Sequence, residues 1–145
     1  MRKDTEQLEN ELAESKNFEE FFSENEENFQ DFTLEKYLSY LLAEKNLSKN
    51  KVIIDSELNP IYAYHIFAGR KKNPARPKIL SLALAMKLSI KETQYLLYYA
   101  GLEKLYIRNE WDSIIMYALE KKLSVKSANV LLDNFSEKPL LGDMN

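Results

Sequence analysis

The sequence predicts an all-α fold, and three observations carry that expectation. Apolar residues recur at helical spacing far more often than in strict alternation. Only three glycines and four prolines punctuate the 145 residues. Small polar residues also stand immediately ahead of several apolar runs, where a side-chain oxygen can cap the first unpaired N–H groups of a helix. Within this class the chain reads as an acidic N-terminal segment (1–31), a helical domain (32–105) and a C-terminal helical hairpin with its tail (106–145).

Residues 1–31 carry eleven acidic and three basic side chains, a local charge of −8. High acidity with few branched apolar residues favours a solvated tail. The sharper alternative uses Phe18, Phe22, Phe29 and Phe32, whose heptad-like spacing would line one side of a helix that docks on the body of the protein or on a protein partner. Such an acidic segment would also complement a basic surface and compete with a polyanion for it.

The first helix of the domain should begin with Thr33 as cap and Glu35 in its first turn, turning Leu34, Leu38, Leu41 and Leu42 inward. Two short helices joined by a tight turn follow. Ser48 caps the first, and Val52 and Ile53 begin its apolar face; Leu58 fills the turn, and Asn59-Pro60 is a cap followed by proline at the first helical position. Ala63, Ile66 and Phe67 recur at helical spacing and lock the second helix against the first. The next helix should start near Arg76, with Pro77 tolerated in its first turn. Its near-continuous apolar run Ile79, Leu80, Leu82, Ala83, Leu84 and Met86 marks it as central and buried. Another opens on the capping box Ser89-Ile90-Lys91-Glu92 and runs through Leu96, Leu97 and Ala100 to Gly101.

The hairpin beyond this domain should comprise a helix from about Asn109, with Trp111, Ile114, Ile115, Ala118 and Leu119 on one face, and another from about Ser124, lined by Val125, Ala128, Leu132 and Phe135. There is an internal echo. Residues 82–97 align without gaps on residues 117–132, with eight of sixteen positions identical at a period of 35 residues. Two copies suit a pair of similar hairpins packed side by side rather than a solenoid.

The segments LSKNKVIIDSELN, YAYHIFAGRKKNP and ILSLALAMKLSIKETQYLLYYAGL, in this order, resemble the xenobiotic-response-element (XRE) family of helix-turn-helix regulators, to which the phage lambda repressor belongs. The resemblance spans residues 34 to about 105 and implies a lambda repressor-like five-helix domain that binds double-stranded DNA in a bacterial or phage setting. It implies transcription regulation of the repressor type, with DNA approached by the second and third of the five helices. Charge agrees locally: residues 45–91 carry ten basic side chains against Asp55 and Glu57, a local charge of +8. Lys49 and Lys51 ahead of the turn, with Arg70, Lys71, Lys72 and Arg76 after it, are the candidate phosphate contacts. Asn59, Ile61, Tyr62, Tyr64 and His65 are the candidates for base readout, with Ile61 and Ala68 suited to thymine methyls.

Several positions depart from the family pattern. Ile53 stands where relatives carry alanine, Glu57 where they carry glycine, and Pro60-Ile61 where they carry a polar pair. Glu57 would have to adopt a left-handed backbone at a cost of about 1 kcal/mol. The outward face also lacks the arginine, glutamine and asparagine that make bidentate base contacts, so direct readout should be modest. The competing expectation is a protein-interaction module that retains the helix-turn-helix fold without base readout.

Other chemistry finds little support. One histidine and no cysteine provide neither a zinc site nor a disulfide framework. Glycine-rich phosphate loops are absent, and carboxylate pairs such as Glu19/Glu20 lie in the acidic segment, so no enzyme, metal or cofactor is expected. No apolar run approaches the ~20 residues of a membrane span, and the acidic start is unlike a secretory signal, giving a cytoplasmic expectation without a membrane partner. Tyr95, Tyr98, Tyr99, Tyr106 and Tyr117 make the fifth helix and the C-terminal hairpin the candidate surface for a homodimer.

Overall fold

A computed structural model describes residues 3–25 and 32–142. Among the described residues there are nine α-helices and no strand, and none of the helices is long and apolar enough to cross a membrane. The chain forms two compact units, residues 1–32 and 33–145.

In the first unit, α1 (Thr5–Glu14) packs against α2 (Phe18–Glu24). Where acidity favoured a solvated tail, the described part is helical, and caps account for it. Asp4 accepts from the N–H of Gln7 while the Gln7 side chain returns a bond to the Asp4 N–H, and Asn17 caps α2 through the N–H of Glu20. Asn25 is fully buried and ties the unit together, accepting from Lys3 Nζ (2.8 Å) and donating to Glu11 (3.0 Å) and to the Phe21 carbonyl (2.9 Å). The Lys3 and Asn25 hydrogen bonds hold the Glu11 carboxyl below its ordinary pKa. Of the proposed phenylalanine stripe, Phe18 and Phe22 are exposed and stack at 6.1 Å, whereas Phe21 is the buried one. Phe29 lies outside the described residues.

The second unit is built around α6 (Arg76–Ala85), where every residue from Ile79 to Met86 is buried. It is enclosed by α4 (Lys49–Ser56), α7 (Ile90–Tyr99), α8 (Glu110–Glu120) and α9 (Val125–Asn134). A helix with no polar face needs neighbours on all sides. Each of its fully buried leucines contributes about 1.5–3 kcal/mol by leaving water. Ser81, buried in the same helix, bonds back to the Pro77 carbonyl at 3.0 Å. α3 (Leu34–Glu44) packs on α5 (Pro60–Phe67) and α7, and α4 also meets α5. The ring of Tyr37 on α3 meets that of Tyr99 on α7 in a tilted contact at 5.0 Å, and burial pushes the Tyr37 phenol pKa well up.

Caps define most boundaries. Thr33, Ser48, Asn59, Ser89, Asn109 and Ser124 each accept a hydrogen bond from the first turn of the following helix. Phe135 departs from the expected α9 face: it is the residue after the last turn and is exposed, while Val125, Ala128 and Leu132 are buried.

The C-terminal hairpin belongs to the same unit as the five helices before it. Gln94 of α7 holds the connecting loop in both directions, donating to the Leu105 carbonyl (2.9 Å) and accepting from its N–H (2.7 Å). Trp111 Nε1 donates to the Lys138 carbonyl and Asn129 accepts from the Leu140 N–H, so the tail folds back with Leu140 buried. The repeated segments meet at their turns. Lys87 and Lys122 are both left-handed (φ 57° and 56°), and each ammonium donates to the other's carbonyl, at 3.1 and 3.0 Å. The same left-handed residue, leucine and serine cap occur a third time at Asn46-Leu47-Ser48, an echo that comparison of 82–97 with 117–132 alone misses.

Candidate nucleic-acid interface

Local sequence fixes how α4 and α5 are presented. Ser48 accepts from the Lys51 N–H and starts α4, and Val52 and Ile53 are buried on its inner face. Ser56, fully buried at the end of α4, donates to the Ile53 carbonyl (2.7 Å) and accepts from the Leu58 N–H (3.2 Å), shaping the turn from inside. Glu57 adopts the left-handed conformation, φ 61°. Ile53 is accommodated between the two helices at 3% exposure. Asn59 Oδ1 accepts from the N–H groups of Ile61 and Tyr62, so α5 begins directly after the turn. Ala63, Ile66 and Phe67 then face inward.

The outward stripe of α5 consists of Ile61, Tyr64, His65 and Ala68, at spacings of three and four residues. Ile61 is 69% exposed and Tyr64 42%. Two readout candidates are differently engaged. Asn59 Oδ1 is committed to the cap. Tyr62 turns toward the next loop: Lys78 Nζ lies 3.9 Å and Lys71 Nζ 5.3 Å from its ring, and its hydroxyl accepts from the Ala75 N–H at 3.4 Å. Tyr62 therefore braces the α5–α6 connection.

The cations separate in the same way. Lys49, Arg70, Lys71 and Lys72 are exposed. Lys49 also sits over the Phe67 ring at 6.0 Å. Arg70 and Lys71 follow Gly69, and both donate backbone N–H bonds to the His65 carbonyl. Gly69 has φ +75°, a left-handed conformation that glycine adopts without strain, and a Cβ there would come within 2.7 Å of the Glu35 side chain, which would have to move. Lys51 is exposed but paired with Asp55 one turn later at 3.0 Å, which offsets its charge locally.

Arg76, also a candidate phosphate contact, is engaged within the protein. Its guanidinium meets both oxygens of Asp112 on α8 (3.0 and 2.9 Å), donates to the carbonyls of Glu103 and Lys104, and lies 5.9 Å from the Trp111 ring centroid. With its donors committed to the loop and to α8, Arg76 anchors the C-terminal hairpin. Asp112 is 6% exposed and also accepts from the Tyr106 N–H.

Sequence reasoning missed Asn50. Its side chain, on the exposed side of α4, accepts a hydrogen bond from the Tyr64 hydroxyl of α5, fourteen residues later. No local motif announces such a bridge. Ile54, the neighbouring outward residue on α4, is 73% exposed. Among the described residues no three His, Asp or Glu side chains come together as a metal-binding group. No protein-family model, curated protein or solved structure matches the chain.

Proposed function

We propose that the protein is a non-enzymatic, sequence-specific DNA-binding regulator of the repressor type, with α3 to α7 as a lambda repressor-like domain and α4–α5 as its helix-turn-helix. One observation carries the reading: the solvent-facing stripe Ile61, Tyr64, His65 and Ala68 is bracketed by exposed cations, Lys49 at the start of α4 and Arg70, Lys71 and Lys72 after α5. In such an arrangement the cations hold the phosphate backbone, and the stripe supplies methyl contacts and hydrogen bonds to base edges in the major groove. Lys51 contributes less because Asp55 neutralises it. A cytoplasmic location follows from this reading. Homodimerisation through α7 and the C-terminal hairpin is the companion proposal, supported by the exposure of Tyr98, Tyr106 and Tyr117.

The test is binding to random-sequence duplex DNA across a salt series. The expected result is a steep loss of affinity with salt, and K71A/K72A should flatten the slope by about 1.8, at roughly 0.9 per phosphate contact, while weakening all sequences alike. Absence of binding at low salt would overturn the reading. It would favour a second one, a module that recognises a protein. The apolar exposure of Ile54 and Ile61 supports that alternative, as does an open cleft of about 370 Å³ beside Ile54, lined also by Ala85, Lys87, Ser124 and Lys126.

A further inference from the structure

We infer that Asn50 is a base-reading residue, positioned by Tyr64, and that the two form one recognition unit across α4 and α5. The inference rests on the DNA-binding reading above and extends it to a residue outside the candidates the sequence offers. Tyr64 is exposed on the outward stripe, and its hydroxyl donates to Asn50 Oδ1. That bond orients the Asn50 amide. With the carbonyl oxygen accepting from the phenol, the –NH₂ group is the end left to donate, and the phenol oxygen keeps acceptor capacity beside it. A donor next to an acceptor, held by side chains from two helices, complements the acceptor and donor that adenine presents together in the major groove; guanine presents two acceptors there. The face otherwise lacks a bidentate side chain, so this bridge supplies what Ile61 and Ala68 cannot. The chemistry sought is a hydrogen-bond acceptor on the duplex, which a base edge or a phosphate oxygen could provide, and the inference commits to the purine edge.

Selection from a pool of random-core duplexes, performed on the full chain, on N50A, on Y64F and on the double variant, tests it. Wild type should select a preferred purine at one position of the site. N50A should reduce that preference about tenfold, losing affinity for the selected site without changing the salt slope. Y64F should relax the same position, and the double variant should be no worse than N50A, because Tyr64 acts through Asn50. Both residues are exposed, and thermal melts of the variants establish that they fold. Identical selected sequences for wild type and N50A overturn the inference. So does a uniform loss across sequences with a salt slope shallower by about 0.9, the mark of a phosphate contact. Wild type that binds duplex without any preference overturns the inference and leaves DNA binding standing, whereas wild type that binds no duplex at low salt removes both.

Discussion

Asp112 is a carboxylate almost wholly removed from water; Arg76 meets both of its oxygens and the Tyr106 N–H supplies a further donor. Removing the cation alone leaves a buried charge without its partner. R76A should therefore lower stability by about 3 kcal/mol in urea unfolding, and replacing both residues with apolar side chains of similar volume should recover much of the loss. Glu57 is the opposite case. Its left-handed backbone is strained for any residue but glycine, so E57G should raise stability by about 1 kcal/mol, read from the same unfolding midpoint. The two positions differ in how far sequence reveals them. Glu57 is legible because a turn between two short helices demands that conformation locally. Arg76 is not, because its partner lies 36 residues away.

Helix α7 depends on its first turn. Ser89 and Glu92 cap each other reciprocally, and Lys45 of the α3 end adds an ion pair to Glu92 at 3.0 Å. Burial pushes the Glu92 carboxyl up, but the hydrogen bond from the Ser89 N–H and the nearby Lys45 ammonium outweigh it, and the pKa ends below the ordinary value. A carboxyl held low in the folded state stabilises the protein above its unfolded-state pKa, and that contribution disappears as pH falls through the folded-state value. Urea midpoints followed from neutral to acid pH should therefore fall less steeply for E92Q than for wild type below the ordinary carboxylate range. Caps of this kind make α3, α4, α5, α7, α8 and α9 legible, since each needs only a few neighbouring residues, whereas α6 has no side-chain cap and is legible from its apolar run. The same signal stood at Asp4-x-x-Gln7 and at Asn17, where the dense negative charge of the segment obscured it. Tyr62 and Tyr64 show the limit: periodicity placed both near the outward face, but only the packing of the α5–α6 loop turns one under Lys78 and leaves the other exposed.

For the whole second unit, stability is shared between the five-helix part and the hairpin, because α6 is covered by α8 and α9 as well as by α4 and α7. Residues 33–145 should unfold in one cooperative transition. A chain ended after Leu105 would expose the covered side of α6 and strand Arg76 without Asp112, so its circular-dichroism melt should lose cooperativity. The sequence boundary at 105 followed the family likeness, and the interlocking loop, which depends on Gln94 and Arg76, is non-local and so escapes a linear reading.

The mutual bonds of Lys87 and Lys122 have a further consequence. An association in which each copy gives the other what it receives is isologous, and isologous joints close, whereas head-to-tail joints propagate. The turns of the two repeats therefore hold one another in equivalent roles, neither serving merely as the other's scaffold.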